Sequence, residues 1–252
     1  MKNQVIAITG GASGIGLSLA KLLLAQGARI SIADASQANL TKASEELKDA
    51  HEQLLFHQCD VRNLDQVQDW LKQTVDRFGR IDKAANLAGV TSKHDAYDMI
   101  ETLNEEDWDF VIGVNLTGIM HCMKEELKLM KPDSGCNIVN AASVAGLSGY
   151  PGAGPYCASK HGVIGLTRTV AKEVAHKGIR INCVAPGAVD TPLLANAEQA
   201  VGVELAESRR QMLPIPRKAD PIEVAKVFEF LLSDAATFVT GSTWTVDGGY
   251  TC

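Results

Sequence analysis

A chain of 252 residues, 46% hydrophobic and 21% charged, can bury a sizeable core, which excludes wholesale disorder and fits one large α/β domain or two small ones. The net charge of −6, with lysines and arginines scattered, leaves no positive stripe for a nucleic-acid backbone, and no apolar run approaches the ~20 residues that cross a bilayer. Six cysteines without a CxxC pair and six histidines without HExxH offer no metal spacing, so the chain reads as a cytoplasmic, reduced protein.

The run Val5-Ile6-Ala7-Ile8 predicts a first strand over residues 5–9, which breaks at once into glycines. A helix over 14–26 follows, with Leu17, Ala20 and Leu24 inward. Then come a strand over 29–33, a helix around 39–49, a strand over 54–58, a helix around 65–78 and a strand ending near Asn86. Later strands are expected at 137–140, 180–184 and 242–246. This alternation argues for a parallel α/β sheet with helices on both faces. No linker or repeat divides the chain, so a single domain over 1–252 is expected. The stretch 190–220, with Pro192, Pro214, Pro216 and one short helix, reads as a lid over a site, or else as a solvated insertion.

The first strand ends in Thr9-Gly10-Gly11-Ala12-Ser13-Gly14-Ile15-Gly16 and runs into a helix. Glycines there let the backbone approach a pyrophosphate, which the free N–H groups and positive end of the helix favour. The spacing is G-x-x-x-G-x-G rather than G-x-G-x-x-G, so position carries more weight than pattern. Asp34 closes the second strand, eighteen residues after Gly16. An acid there hydrogen-bonds the adenosine ribose hydroxyls of NAD and repels a 2′-phosphate. Ser13, Ala35 and Ser36 stand where a phosphate-binding cation would help NADP. Asp34 as a plain Asx-turn residue is the other reading.

The second half adds Tyr156-Cys157-Ala158-Ser159-Lys160, with Ser143 thirteen residues upstream. It also carries Asn86-Leu87-Ala88-Gly89, Val114-Asn115-Leu116, Pro186-Gly187-Ala188-Val189-Asp190-Thr191 and Val246-Asp247-Gly248-Gly249. In this order and spacing the chain resembles the compact short-chain dehydrogenase/reductase family from Val5 to Gly249. Leu87, where the family often has asparagine or alanine, is a small departure. The resemblance implies a Rossmann-type, doubly wound, mainly seven-stranded parallel sheet.

It also implies hydride transfer between a secondary alcohol and a nicotinamide, with Asn115, Ser143, Tyr156 and Lys160 as the catalytic set. A free tyrosine has a pKa near 10, and lowering it by three units takes roughly 4 kcal/mol. Lys160, one helical turn on, favours the phenolate and, by the resemblance, bonds the nicotinamide ribose. Ser143 donates to the substrate oxygen, and Asn115 holds a water that connects Lys160 to solvent, unless it is a helix asparagine bonding locally. For the cofactor, the resemblance adds Asp60 and Val61 beside adenine and Asn86, Ala88 and Gly89 beside the ribose. Pro186, the Val189 backbone and Thr191 would sit at the carboxamide, joining Gly10, Ser13, Gly14, Ile15, Gly16 and Asp34.

On the substrate side, Val144, Ala145, Leu147, Tyr150, Pro151, Leu193, Leu194 and Met212 suggest an apolar pocket, with Arg209, Arg210 and Arg217 near the lid. That suits an apolar, polycyclic or terpenoid alcohol of secondary metabolism, although the same residues could be core or subunit contact. Three functions stay open: an NAD-dependent dehydrogenase, a ketoreductase such as one acting on 3-oxoacyl carrier protein, and a cofactor-binding protein with non-redox chemistry. Asp34 and the acidic balance favour the first. A homodimer or homotetramer is expected from the resemblance, with apolar stretches at 162–166 and 170–174 available for the contact.

Overall fold

All five residues of β1 (Val5–Thr9) are buried, with Ile6 and Ile8 packing to one side and Ala7 to the other. That period-two split marks a strand covered on both faces. A computed structural model describes residues 1–92 and 98–252, apart from the side chain of Arg209, which lies outside the description. In chain order, α1 (Gly14–Ala25), β2 (Arg29–Asp34), α2 (Gln37–Glu46), β3 (Leu54–Gln58), α3 (Leu64–Phe78) and β4 (Lys83–Asn86) form the first half. After them come α4 (Glu105–Ile112), α5 (Gly118–Leu129), β5 (Asn137–Ala141), α6 (Gly154–Val174) and β6 (Arg180–Pro186). Then α7 (Pro192–Val201), α8 (Val203–Gln211), α9 (Pro221–Leu232) and β7 (Thr243–Val246) complete it.

The seven strands form one parallel sheet in the order β3-β2-β1-β4-β5-β6-β7, with Ala7 in register with Ser31 on one side and Ala84 on the other. Helices α1, α2 and α9 cover one face through Leu19, Leu23, Leu40, Val224 and Phe228. Helices α3, α5 and α6 cover the other through Trp70, Leu71, Ile119, Val163 and Ile164. This is the Rossmann-type, doubly wound arrangement. The chain leaves β1 toward β2 and returns on its other flank at β4, so a crevice opens beyond the strand ends where the winding reverses.

Local chemistry explains several boundaries. Asn63 accepts from the backbone N–H of Asp65 and Gln66 to start α3, and Gly79, at φ 84°, ends it. Asp220 and Glu223 form a reciprocal capping box at α9, with Pro221 in its first turn.

Three expectations shift. The inward face of α1 is Gly16, Leu19, Ala20 and Leu23, while Leu17 and Leu24 are only half-buried, because nearly every position of GIGLSLAKLLLA is apolar and the pattern leaves the phase open. Helix α2 ends at Glu46 and a tighter 3-10 turn, Lys48–Gln53, replaces its last stretch. The 190–220 region holds two helices instead of one. Pro192 opens α7 at a position where its missing N–H costs nothing, with Thr191 as the cap, and Gly202, at φ 101°, separates it from α8. Helices α4 and α5 occupy a stretch that the strand–helix alternation leaves unassigned.

Candidate active site

A cavity of about 1520 Å³ lies at the carboxyl ends of β2, β1, β4, β5 and β6, roofed by α7 and α8. Four strand spacings make it roughly 19 Å long, a run suited to an extended dinucleotide.

The glycine turn forms its floor: Gly10, Ser13, Gly14, Ile15 and Gly16 all face it. A Cβ on Gly16 would sit 2.2 Å from the Gly10 carbonyl oxygen, so only glycine lets the helix start this close to the strand end. Ser13 occupies the N-cap of α1 without its side chain capping the helix, and the first turn carries no acid. The hydroxyl and the helix N–H groups therefore remain available to an anion in the cavity. Thr9, which the sequence reading passed over, accepts from the N–H of Leu87 and of Ala88 at 3.1 and 3.2 Å. This bond ties the ends of β1 and β4 together.

Asp34 lines the same cavity. Its carboxylate accepts from Ala12 N at 3.3 Å and from Ser36 N at 3.0 Å. The second bond is an Asx turn, and the carboxylate keeps acceptor capacity beyond these two bonds. Asp60 and Val61 line the wall as expected, but the Asp60 carboxylate is gripped by Arg62, whose Nε lies 3.0 and 2.9 Å from its two oxygens. That pairing holds the Asp60 carboxyl below its usual range. Arg62, not singled out from the sequence, stacks over the Phe110 ring at 5.0 Å and itself lines the cavity. Ala88, Gly89 and Leu87 line it too.

Asn86 does not. Its side chain is fully buried and donates to Glu126 Oε2 at 3.2 Å and Asn140 Oδ1 at 3.1 Å, because at the end of a central strand it points into the helix-covered face. The side chain thus serves the core, which leaves only the main chain of Asn86 for the expected ribose side.

Around β5 and α6 the expected catalytic groups converge. Ser143 follows β5, lines the cavity and accepts from Ala145 N at 3.1 Å, a bond that does not use its own O–H donor. A Cβ on Gly146 would meet the Lys160 carbonyl oxygen at 2.7 Å, so this glycine lets the serine turn press against α6. Tyr156 and Lys160 both line the cavity, and the Lys160 ammonium lies 5.6 Å from the centre of the Tyr156 ring. Lys160 is buried, donates to Ala141 O at 2.9 Å, and burial pushes its pKa down to about 8.

Asn115 sits in a wide π turn, Gly113–Thr117, between α4 and α5. Its amide accepts from Val90 N at 2.8 Å and donates to Val90 O at 2.8 Å and Ser159 Oγ at 3.2 Å. Ser159 in turn donates to the Tyr156 carbonyl at 2.7 Å. Asn115 is thus a buried strut between the loop after β4 and the helix of Tyr156, with both its amide N–H groups and one acceptor site engaged.

Pro186, Val189 and Thr191 line the far wall, and the Thr191 hydroxyl also caps α7 by accepting from Leu194 N at 3.3 Å. Val144, Ala145, Tyr150, Pro151, Leu193, Leu194, Met212 and Arg210 line the remainder. Leu147 and Arg217 do not. Leu147 is exposed, and Arg217 is held by Glu223 on α9 at 2.7 and 2.8 Å. Glu198 of α7, unread in the sequence, faces the cavity and takes bonds from Arg210 and from Lys218, the latter at 2.6 Å. The C-terminal residues Gly249, Tyr250 and Cys252 also reach this wall.

The arrangement can hold a long anionic ligand with a diol at one end. Toward the other, the phenol of Tyr156, the ammonium of Lys160 and the hydroxyl of Ser143 line the same wall. The family model described as enoyl-(acyl carrier protein) reductase matches residues 10–251. The short-chain dehydrogenase/reductase aba4 of Botryotinia fuckeliana is 43% identical over 253 residues, covering 99% of this chain and 97% of that one. A 3-oxoacyl-[acyl-carrier-protein] reductase of Synechocystis is 39% identical over 98% of this chain and 96% of its own. The crystal structure of levodione reductase superposes with a TM-score of 0.93 at 36% identity, covering 99% of this chain and 98% of that one.

Proposed function

Because the chain belongs to the short-chain dehydrogenase/reductase family, we propose that it is an NAD-dependent enzyme interconverting a bulky, largely apolar secondary alcohol and its ketone. Oxidoreduction at a CH–OH group with a nicotinamide cofactor follows from the family itself. The observation that carries the rest is the meeting of Ser143, Tyr156 and Lys160 at one end of a cavity whose other end holds Asp34.

The glycine turn, Ser13 and the N-terminus of α1 fit a pyrophosphate, and the free acceptor sites of Asp34 fit a ribose diol while disfavouring a 2′-phosphate. Val61 and the Asp60–Arg62 pair stand where adenine would lie. Ala88 and Gly89 back the ribose, and Pro186, Val189 and Thr191 back the carboxamide. A bound nicotinamide would accept or supply the hydride. Tyr156 takes the hydroxyl proton during oxidation and returns it during reduction, while Lys160 favours its phenolate. Ser143 donates to the substrate oxygen as negative charge develops there. Since the Asn115 side chain is engaged, a water relaying protons from Lys160 would rest on main-chain oxygen near the π turn.

Leu193, Leu194 and Met212, on and just after the α7–α8 pair, give the substrate end an apolar roof, consistent with a lid over a terpenoid-like or other secondary-metabolite alcohol. A 3-oxoacyl-carrier-protein reductase is the second reading, favoured by the Synechocystis relative. Asp34 and the net charge of −6 weigh against its usual phosphate-bearing cofactor and basic docking face. A cytoplasmic site of action is in keeping with the reduced cysteines, and no helix among the described residues is long and apolar enough to cross a membrane.

Fluorescence titration with NADH and NADPH, then turnover with bulky secondary alcohols, tests the reading. NADH is expected to bind at least tenfold more tightly, and Asp34→Ser to narrow that ratio. NADPH preference in the native protein would promote the reductase.

A further inference from the structure

Tyr150 and Tyr156 pack on the same small apolar cluster of Ala145, Ala153 and Cys157. This places a second phenol beside the reacting one on the cavity wall. Tyr150 is not alone. The ring of Tyr250, from the C-terminal segment, stacks on it with centroids 6.0 Å apart and an interplanar angle of 22°. Both rings line the cavity, Tyr150 half-buried and Tyr250 41% exposed at the mouth.

The segment that presents Tyr250 is itself held in place. Asp247 accepts from Gly249 N at 3.0 Å, Thr251 N at 3.1 Å and Thr251 Oγ1 at 2.6 Å. Gly248 O accepts from Ile215 N at 3.0 Å, just after the roof helices. Tyr150 is fixed by a turn in which its carbonyl accepts from Ala153 N at 3.0 Å. Charged groups nearby are already matched: Glu198 with Arg210 and Lys218, and Asp247 with the tail. The two phenols are therefore a neutral, preorganised pair that can both donate and accept hydrogen bonds.

We propose that Tyr150 and Tyr250 form a second polar anchor of the substrate site, selecting alcohols or ketones that carry a second uncharged oxygen away from the reacting carbon. This rests on the redox reading above and narrows its substrate class. Burial, followed by the Tyr250 phenol, pushes the Tyr150 pKa up, which favours the neutral form of this phenol. An apolar wall alone discriminates weakly against a missing hydroxyl, whereas a paired phenol left without its partner does so more strongly.

The test compares wild type, Tyr150→Phe, Tyr250→Phe and the double variant, each checked for an unchanged melting temperature. The probes are cyclohexanol and cyclohexane-1,2-, 1,3- and 1,4-diol with NAD and with NADP. Wild type is expected to favour at least one diol over cyclohexanol in kcat/KM. Each phenylalanine is expected to narrow that preference about five- to tenfold, through KM rather than kcat. No diol preference, or one unmoved by either substitution, overturns the anchor and leaves the redox reading standing. Absence of turnover by wild type with every alcohol and both cofactors overturns the two together.

Discussion

Lys160 sits in a place where charge is costly. Burial brings its pKa down to about 8, against roughly 10.4 for a free lysine. Below about pH 8 the folded protein therefore carries a buried ammonium at a cost in stability, and that cost fades as pH rises toward the unfolded value. The same ammonium, 5.6 Å from the Tyr156 ring, favours the phenolate. Tyr156→Phe should leave NADH affinity within about twofold, while turnover falls by roughly two to four orders of magnitude, the usual worth of a positioned acid–base group. Stopped-flow binding and steady-state assays measure the two separately, and turnover near the native level would remove Tyr156 from the proton path. These residues were legible in the sequence because their chemistry depends on type and one-turn spacing. Arg62 and Tyr250 were not, since the fold alone sets Arg62 over Phe110 and brings Tyr250 to Tyr150.

At the scale of elements, α7 and α8 are joined through Glu198. Burial acts to raise its pKa, but Lys218 and Arg210 together hold it below the usual range. Glu198→Gln keeps the shape and removes the charge that both cations face. Arg210 keeps Glu207 and Lys218 keeps Asp190 at 3.8 Å, so the weakened pairing loosens the helix pair locally rather than unfolding it. The substrate KM should rise several-fold with NADH affinity unchanged, and limited proteolysis within residues 192–211 should quicken. Equal KM and equal cleavage would mean that the apolar contacts alone seat the pair. The helices themselves were hard to read from sequence. Three prolines over 190–220 suggest irregular chain, yet Pro192 starts a helix because its missing N–H falls where no partner is required. The phase of α1 was equally open, since a segment apolar nearly all round has no preferred face until the sheet supplies one.

Across the whole molecule, a buried polar chain links both halves of the sheet's α3–α6 face. Asn86 of β4 bonds Glu126 of α5 and Asn140 of β5, and Asn140 donates to Thr167 of α6 at 3.0 Å. Glu126 is fully buried, burial pushes its pKa up to about 8, and its Oε1 and the Asn86 Oδ1 have no partner among the described residues. A raised carboxyl value means that the folded state keeps a proton the unfolded chain would release. Stability therefore falls as pH climbs from about 4.5 to about 8. Glu126→Gln replaces the orphaned Oε1 by an amide nitrogen that does not ionise, and so escapes this penalty. Its melting temperature should match wild type near pH 5 and exceed it by several degrees at pH 8. A gap that does not change with pH would refute the buried acid. Assembly belongs to this scale as well. In the stretches 162–166 and 170–174, Val163, Ile164, Ala171 and Val174 are buried, while Gly165, Lys172 and Glu173 are exposed. The exposed Trp108, Met120 and Leu129 on α4 and α5, and Trp244 with Phe238 at the β7 edge, add apolar surface for the proposed dimer or tetramer. A monomeric mass by light scattering would overturn that assembly.

The sequence by itself determined the alternating elements, the glycine turn, the acid closing β2 and the serine–tyrosine–lysine set, all of which follow from residue type and spacing along one strand or one helix. The tertiary structure alone decided which face of α1 is inward, that Asn86 serves the core, that Asn115 braces the Tyr156 helix, and that the C-terminal tyrosine meets Tyr150. Those relations join residues tens to hundreds of positions apart, and only burial against a particular neighbour, absent from any local pattern, sets them.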